Sequence, residues 1–179
     1  MKNKLTIAQI TMIGVMAAVT CILGPLSIPI GVVPISFTNL AVYFALYALG
    51  CRKGTVSYLI YLLIGLIGVP VFSGFSSGPA KLFGPTGGYL IGFIFMAIIS
   101  GVVIDFCSGK WLLHIGGMIA GTVVCYFMGT AWLSYSAGMS FGAALAAGVI
   151  PFIPGDLVKI VIAAIVGPQI RKQLRKANL

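Results

Sequence analysis

Acidic side chains are almost absent from this sequence: of 179 residues only Asp105 and Asp156 carry a side-chain carboxylate, and histidine occurs once, at His114. Acid–base and hydrolytic chemistry usually needs at least two titrating groups held together, so two aspartates far apart in the chain argue against an enzyme. Charged residues of either sign make up 7% and hydrophobic residues 60%. A soluble domain carries about 25% charge, so this composition excludes one and reads as an all-α integral membrane protein of one domain, residues 1–179. The four cysteines, Cys21, Cys51, Cys107 and Cys125, show no CxxC spacing and accompany no histidine cluster. That leaves no metal site and no cofactor, and the thiols read as small apolar groups inside helices. No Gly-Lys-Ser/Thr phosphate loop occurs, so the chain has no means of hydrolysing ATP itself.

What the sequence has in quantity is apolar runs, and a span needs about twenty such residues. Lys2 and Lys4 before an apolar run resemble a signal peptide, but no cleavage pattern follows, so the run is read as the first span, residues 5–23. Residues 27–34, with Pro29, Gly31 and Pro34, read as a loop or broken turn. Further spans are expected over residues 35–49, 55–69, 86–107, 112–133 and 154–170, with a small-residue half-helix at 141–148. Asp105, Ser108 and Lys110 are expected in a short polar loop.

Charge sets the orientation. With six spans, one side receives Lys2, Lys4, Arg52, Lys53, Lys110 and the Arg171–Lys176 cluster, and the other receives Lys81 alone. That imbalance puts both termini in the cytoplasm. It also accounts for the net charge of +9 without nucleic acid, because the basic residues sit at the ends of apolar segments and not along one solvated face.

Asp156 and Lys159 lie three apart and so on one face of the sixth helix. A charge at membrane depth costs several kcal/mol unless paired or hydrated, which marks a functional site. Lys159 precedes Arg171 by about 18 Å of helix. If Arg171 marks the inner boundary of a core about 30 Å thick, Lys159 lies roughly 12 Å below the outer one. Either a structural ion pair or a ligand site opening outward fits; in the second, Lys159 takes a carboxylate and Asp156, in the first turn after Pro154, accepts from N–H groups.

The Gly/Ser/Pro-rich stretch 73–84, with Ser73, Ser76 and Ser77, reads as a lid or a plain connector. Gly84-Pro85-Thr86-Gly87-Gly88, followed by Tyr89, opens the fourth helix with backbone N–H groups suited to an anion. Asn39, near the outer end of the second helix, offers a buried amide to a ligand or to a neighbouring helix. Tyr43, Tyr47, Tyr58 and Tyr61 are read as packing residues, and His114 has no specific role assigned. On the first helix Gly14, Ala17, Ala18 and Cys21 form two small-xxx-small pairs, suited to packing within the chain or to docking a partner.

Pro34-Ile35-Ser36-Phe37-Thr38, Gly65–Phe72, Gly84-Pro85-Thr86-Gly87-Gly88-Tyr89 and Gly155-Asp156-Leu157-Val158-Lys159 together resemble the BioY family, in order and over essentially the whole chain. These are biotin-binding S-components of energy-coupling factor (ECF) transporters. The resemblance implies a six-helix bundle with cytoplasmic termini, and an outward pocket under the loop joining helices three and four. It implies a scaffold membrane protein and two ABC-type ATPases as partners, docked partly through small residues of helix one (Gly14, Ala17, Ala18). It also implies biotin contacts from Asp156 and Lys159, with Asn39, Ser73, Ser76, Gly84, Thr86 and Tyr89 as further candidates. The lid departs from the family in carrying serines where an asparagine is frequent. An S-component for another vitamin, or a purely structural membrane subunit, are the competing readings.

Overall fold

The computed structural model describes residues 6–29, 32–107 and 109–177. Lys2, Lys4, the start of the expected first span, Gly31 and Ser108 lie outside them.

Helix α1 (Ile7–Leu23) starts at a capping box in which Thr6 Oγ1 accepts from the Gln9 N–H and Gln9 Oε1 accepts from the Thr6 N–H. It ends at Gly24, where an added methyl would meet the Val71 carbonyl and the Tyr61 hydroxyl at under 3 Å. The next segment was expected as a loop. It contains a short antiparallel ladder, β1 (Ser27–Ile28) against β2 (Ile35–Ser36). Ile35 and Ser36 are therefore extended and not the first helical residues of the second span, and Ser36 Oγ donates to Thr38 Oγ1 where the helix begins.

Helix α2 (Thr38–Leu66) is two arms, residues 38–49 and 51–66, meeting at Gly50 with φ 79° and ψ 173°. The arms run antiparallel. Gly54 packs on the Ala45 carbonyl, and Tyr61 reaches Thr38, two residues that a straight helix would place more than 30 Å apart. A left-handed φ at no steric cost is what glycine supplies here. The following stretch holds a short helix, α3 (Gly78–Leu82).

Helices α4 (Gly87–Phe106) and α5 (Trp111–Ala137) form the most extensive helix pair. Small residues set their spacing: Gly92 faces Cys125, Gly121 faces Ser100 and Gly117 faces Val103, each too close to admit a methyl group without a shift. Asp105, expected in a loop, belongs to the last turn of α4. Then α6 (Phe141–Gly148), capped by Ser140 Oγ, coincides with the expected half-helix. A 3₁₀ turn (Ile150–Phe152) leads into α7 (Ile153–Lys176).

Among the described residues three stretches are long and apolar enough to cross a membrane: Gly87–Phe106, Trp111–Ala137 and the Phe141–Lys176 run; α1 is apolar but shorter. With the two arms of α2 this makes six main helices among the described residues. Outward-facing Ile7, Ile22, Val123, Phe127, Val158 and Ile165 are exposed, as helices bathed in hydrocarbon require. Inside, buried Tyr43, Tyr47, Tyr58 and Tyr61 tie the α2 arms to their neighbours. Tyr43 Oη pairs with Thr122 Oγ1 at 2.7 Å and Tyr58 Oη donates to the Leu90 carbonyl at 2.8 Å, since a buried hydroxyl without a partner is costly in this solvent.

Lys53, Arg171 and Arg175 gather at one end of the bundle. Arg171 donates to Asp105 Oδ1 at 2.6 Å and to the Ile104 carbonyl, while Asp105 Oδ2 accepts from the Cys51 N–H at 2.7 Å. This one carboxylate joins the α2 turn to the ends of α4 and α7. His114 is also engaged: its ring nitrogens meet Tyr47 Oη at 3.2 Å and the Cys107 carbonyl at 3.1 Å, a structural tie that its position near a helix start did not suggest.

Candidate functional site

At the opposite end of α7, Asp156 and Lys159 point inward and are 8% and 6% exposed. The i,i+3 spacing brings Lys159 Nζ to 2.9 Å from Asp156 Oδ1. Lys159 Nζ also donates to the Ser36 carbonyl at 2.7 Å and lies 5.7 Å from the centre of the Phe37 ring. The β1–β2 ladder explains this geometry, because it holds residues 35–36 extended and turns a backbone carbonyl toward α7. An ammonium has three donors, and two are taken here. Asp156 Oδ2 accepts from Tyr126 Oη at 2.6 Å.

The pair borders a cavity of about 60 Å³. Thr38 and Asn39 enter from the start of α2, Thr86, Tyr89 and Phe93 from α4, Tyr126 from α5 and Phe152 from the 3₁₀ turn. Of the residues expected at the site, Asp156, Lys159, Asn39, Ser73, Thr86 and Tyr89 line this cavity, and Ser76 and Gly84 do not. Ser76 Oγ donates to the Ser73 carbonyl, and the Gly84 carbonyl accepts from Trp132 Nε1 at 2.9 Å, so both brace their own loops. Tyr43, Tyr47, Tyr58 and Tyr61 do not line it either.

The stretch expected as lid or connector is anchored. Phe72 and Ser76 form a β-bridge around a tight turn with φ 55° at Phe75; the Gly74 N–H donates to the Pro25 carbonyl at 3.1 Å, and Phe72 packs edge-on against Tyr61. Ser73 alone of its three serines lines the cavity.

Two further features bear on binding. The Thr86 hydroxyl is buried and hydrogen-bonds to no protein group among the described residues, although such groups are paired as a rule. Tyr89 is held in one orientation, its ring against Gly129 and its hydroxyl against Gly148 and toward Thr130, with no room for a side chain at either glycine. Sequence reading missed Tyr126, Phe93 and Phe152, and also Gly148, the last residue of the half-helix. Nothing local separates Tyr126 from the packing tyrosines. Its distinction is that α5 sets it opposite Asp156.

Among the described residues the set therefore offers a cation with an open donor, an acceptor, an unengaged hydroxyl, an amide and aromatic walls. This is a polar-tipped, mostly apolar enclosure of the kind that holds small molecules. Among the described residues no group of three His, Cys, Asp or Glu could hold a metal.

The BioY family model matches residues 1–176. The chain belongs to the BioY family. Within it, the chain is 35% identical to Biotin transporter BioY2 of Lactococcus lactis subsp. cremoris, over 95% of this chain and 93% of that one. To the Biotin transporter BioY of Thermotoga maritima it is 34% identical, over 92% and 96%. Its fold is that of a crystal structure described as the S-component for biotin from an ECF-type ABC transporter, with a TM-score of 0.87, 32% identity and coverage of 96% and 95%. The likeness thus extends over nearly the whole chain, and BioY membership agrees with the resemblance carried by the GPTGGY and GDLVK stretches.

Proposed function

We propose that this chain is the biotin-binding membrane subunit of an ECF-type importer, taking the vitamin from outside the cell into the cavity beside Asp156 and Lys159. The observation that carries the reading is the buried ion pair, open on one side to a cavity, in a chain whose BioY relatives are biotin transporters. Biotin combines a carboxylate tail, a ureido group and a thioether bicycle. The third N–H of Lys159 suits the carboxylate, Asp156 and the Thr86 and Asn39 side chains suit the ureido group, and Phe93, Phe152 and Tyr89 suit the bicycle.

Access comes by movement of the Phe72–Ser76 turn, because a cavity of about 60 Å³ holds only a few waters. The chain sits in the cell membrane of a prokaryote with both termini in the cytoplasm, since Arg52, Lys53 and Arg171–Lys176 lie at the end away from the cavity. Transport energy comes from a scaffold membrane protein and two ABC-type ATPases. Of the small residues on α1, Gly14 and Ala18 face outward and suit that docking, whereas Ala17 is buried inside the bundle.

Equilibrium binding of biotin to the detergent-purified chain tests the assignment. Tight binding by the wild type, weakened by at least about 30-fold in Lys159→Ala and Asp156→Asn (roughly 2 kcal/mol or more), is the expected result. A folded wild type that ignores biotin refutes it. Binding of a different vitamin at the same residues would then reassign the substrate, and no ligand at all would leave a structural subunit.

A further inference from the structure

Eleven Lys and Arg residues face two aspartates in this chain, and the fold decides where the surplus is left. Asp156 is held by Lys159 and Tyr126 at the cavity end. Asp105 accepts from Arg171 and the Cys51 N–H at the other end. Beside that latch a cleft of about 410 Å³ opens between the start of α5 and the end of α7, lined by Arg171, Lys172, Arg175 and Lys176. Its floor is Tyr47 and Pro168. His114 also borders it, but both ring nitrogens are already engaged. No carboxylate lines it among the described residues, and Lys172, Arg175 and Lys176 are exposed.

The depth of the cleft matters as much as its charge. Arg171 lies about 18 Å along α7 from Lys159, where the apolar run of the helix gives way to Arg-Lys-Gln-Leu-Arg-Lys. In a bilayer that level is the boundary between acyl chains and headgroups. A basic hollow between helices, half apolar and at headgroup depth, recognises a phosphate attached to hydrocarbon. The Arg175 fork fits phosphate oxygens bidentately, while the half-buried Pro168 meets the glycerol and first acyl carbons.

We propose that this cleft is a binding site for the phosphodiester head of an anionic membrane phospholipid, held by Lys172, Arg175 and Lys176, with the Arg171–Asp105 pair at its edge. The site is independent of the vitamin cavity, at the far end of the same helix.

Native mass spectrometry of the full chain released from phosphatidylcholine nanodiscs containing a minor share of phosphatidylglycerol tests this. The wild type retains phosphatidylglycerol in preference to phosphatidylcholine. Arg175→Gln lowers that preference about five-fold, and the triple variant Lys172→Gln/Arg175→Gln/Lys176→Gln lowers it on the order of 100-fold, from the usual contribution of one cation near an anionic surface. Arg52→Gln, at the same end but outside the cleft, changes it less than about two-fold. Equal losses in Arg52→Gln and Arg175→Gln would show diffuse attraction and overturn the site, as would a wild type without preference. Displacement of the lipid by millimolar inorganic phosphate would make it a soluble-anion site and overturn the lipid assignment. If the triple variant does not elute as the wild type does, Arg175→Gln against Arg52→Gln decides alone.

Discussion

Replacing Lys159 by methionine keeps an unbranched side chain one atom shorter and removes its charge. The ammonium donates at 2.9 Å to Asp156, in a buried bond, and at 2.7 Å to the Ser36 carbonyl, in a part-buried one. At 2.9 Å and an effective dielectric of about 20 the gross attraction between the two charges is about 6 kcal/mol, and most of it offsets the cost of taking both ions out of water. Removing one partner leaves that cost in place. Asp156 keeps only Tyr126 among its partners in the cavity, and the Ser36 carbonyl loses its donor. Lys159→Met should therefore destabilise the unliganded protein by about 3–5 kcal/mol, as breaking buried pairs does. Asp156→Asn should cost a similar amount, because it strands the ammonium. The double variant should cost much less than the sum, with a coupling of roughly 2 kcal/mol or more. Thermal unfolding of the four proteins in one detergent, without biotin, measures this. Two single substitutions that each cost less than about 0.5 kcal/mol and simply add would show the pair to be hydrated, and the argument from desolvation would fail.

Thr86→Val removes a buried hydroxyl that bonds to no protein group among the described residues, so melting should hold or rise while biotin affinity falls about five- to ten-fold; a loss of stability with unchanged affinity would show a structural role. Gly148→Val drives a side chain into the Tyr89 hydroxyl, which Gly129 keeps from retreating. Calorimetry should show biotin binding at least ten-fold weaker, recovered in part by Tyr89→Leu, and an unaffected single variant would contradict the packing. Gly50→Ala imposes a Cβ at φ 79° and should lower stability by about 1–3 kcal/mol with affinity for biotin within two-fold of wild type; a neutral effect on melting would mean that the turn relaxes.

Much of this was open to reading because hydrocarbon is a severe solvent. A chain with 7% charge leaves few polar groups to place. Asp156 and Lys159 stood out because two ions inside an apolar run must pair or meet a ligand. The half-helix at 141–148 and the helix starting after Thr86 were visible from their small residues and glycines. What the residues left open was which face each candidate turns inward. Ser73 and Ser76 are three apart in the same stretch, yet one lines the cavity and the other braces a turn. Asp105 looked like a loop residue and proves to hold three elements together, because its partners Cys51 and Arg171 are distant in sequence.

The amino-acid sequence alone determined the solvent, the helical architecture, the charge asymmetry and the Asp156–Lys159 pair, since each follows from local composition and from the cost of charge in lipid. Tertiary structure decided that Tyr126 from α5 and the Ser36 carbonyl from a short strand complete that pair, that Gly148 seats Tyr89, and that Lys172, Arg175 and Lys176 line a cleft that holds no carboxylate among the described residues. Those are distances between segments far apart along the chain, set by how closely glycine-lined helices approach, and no local pattern carries them.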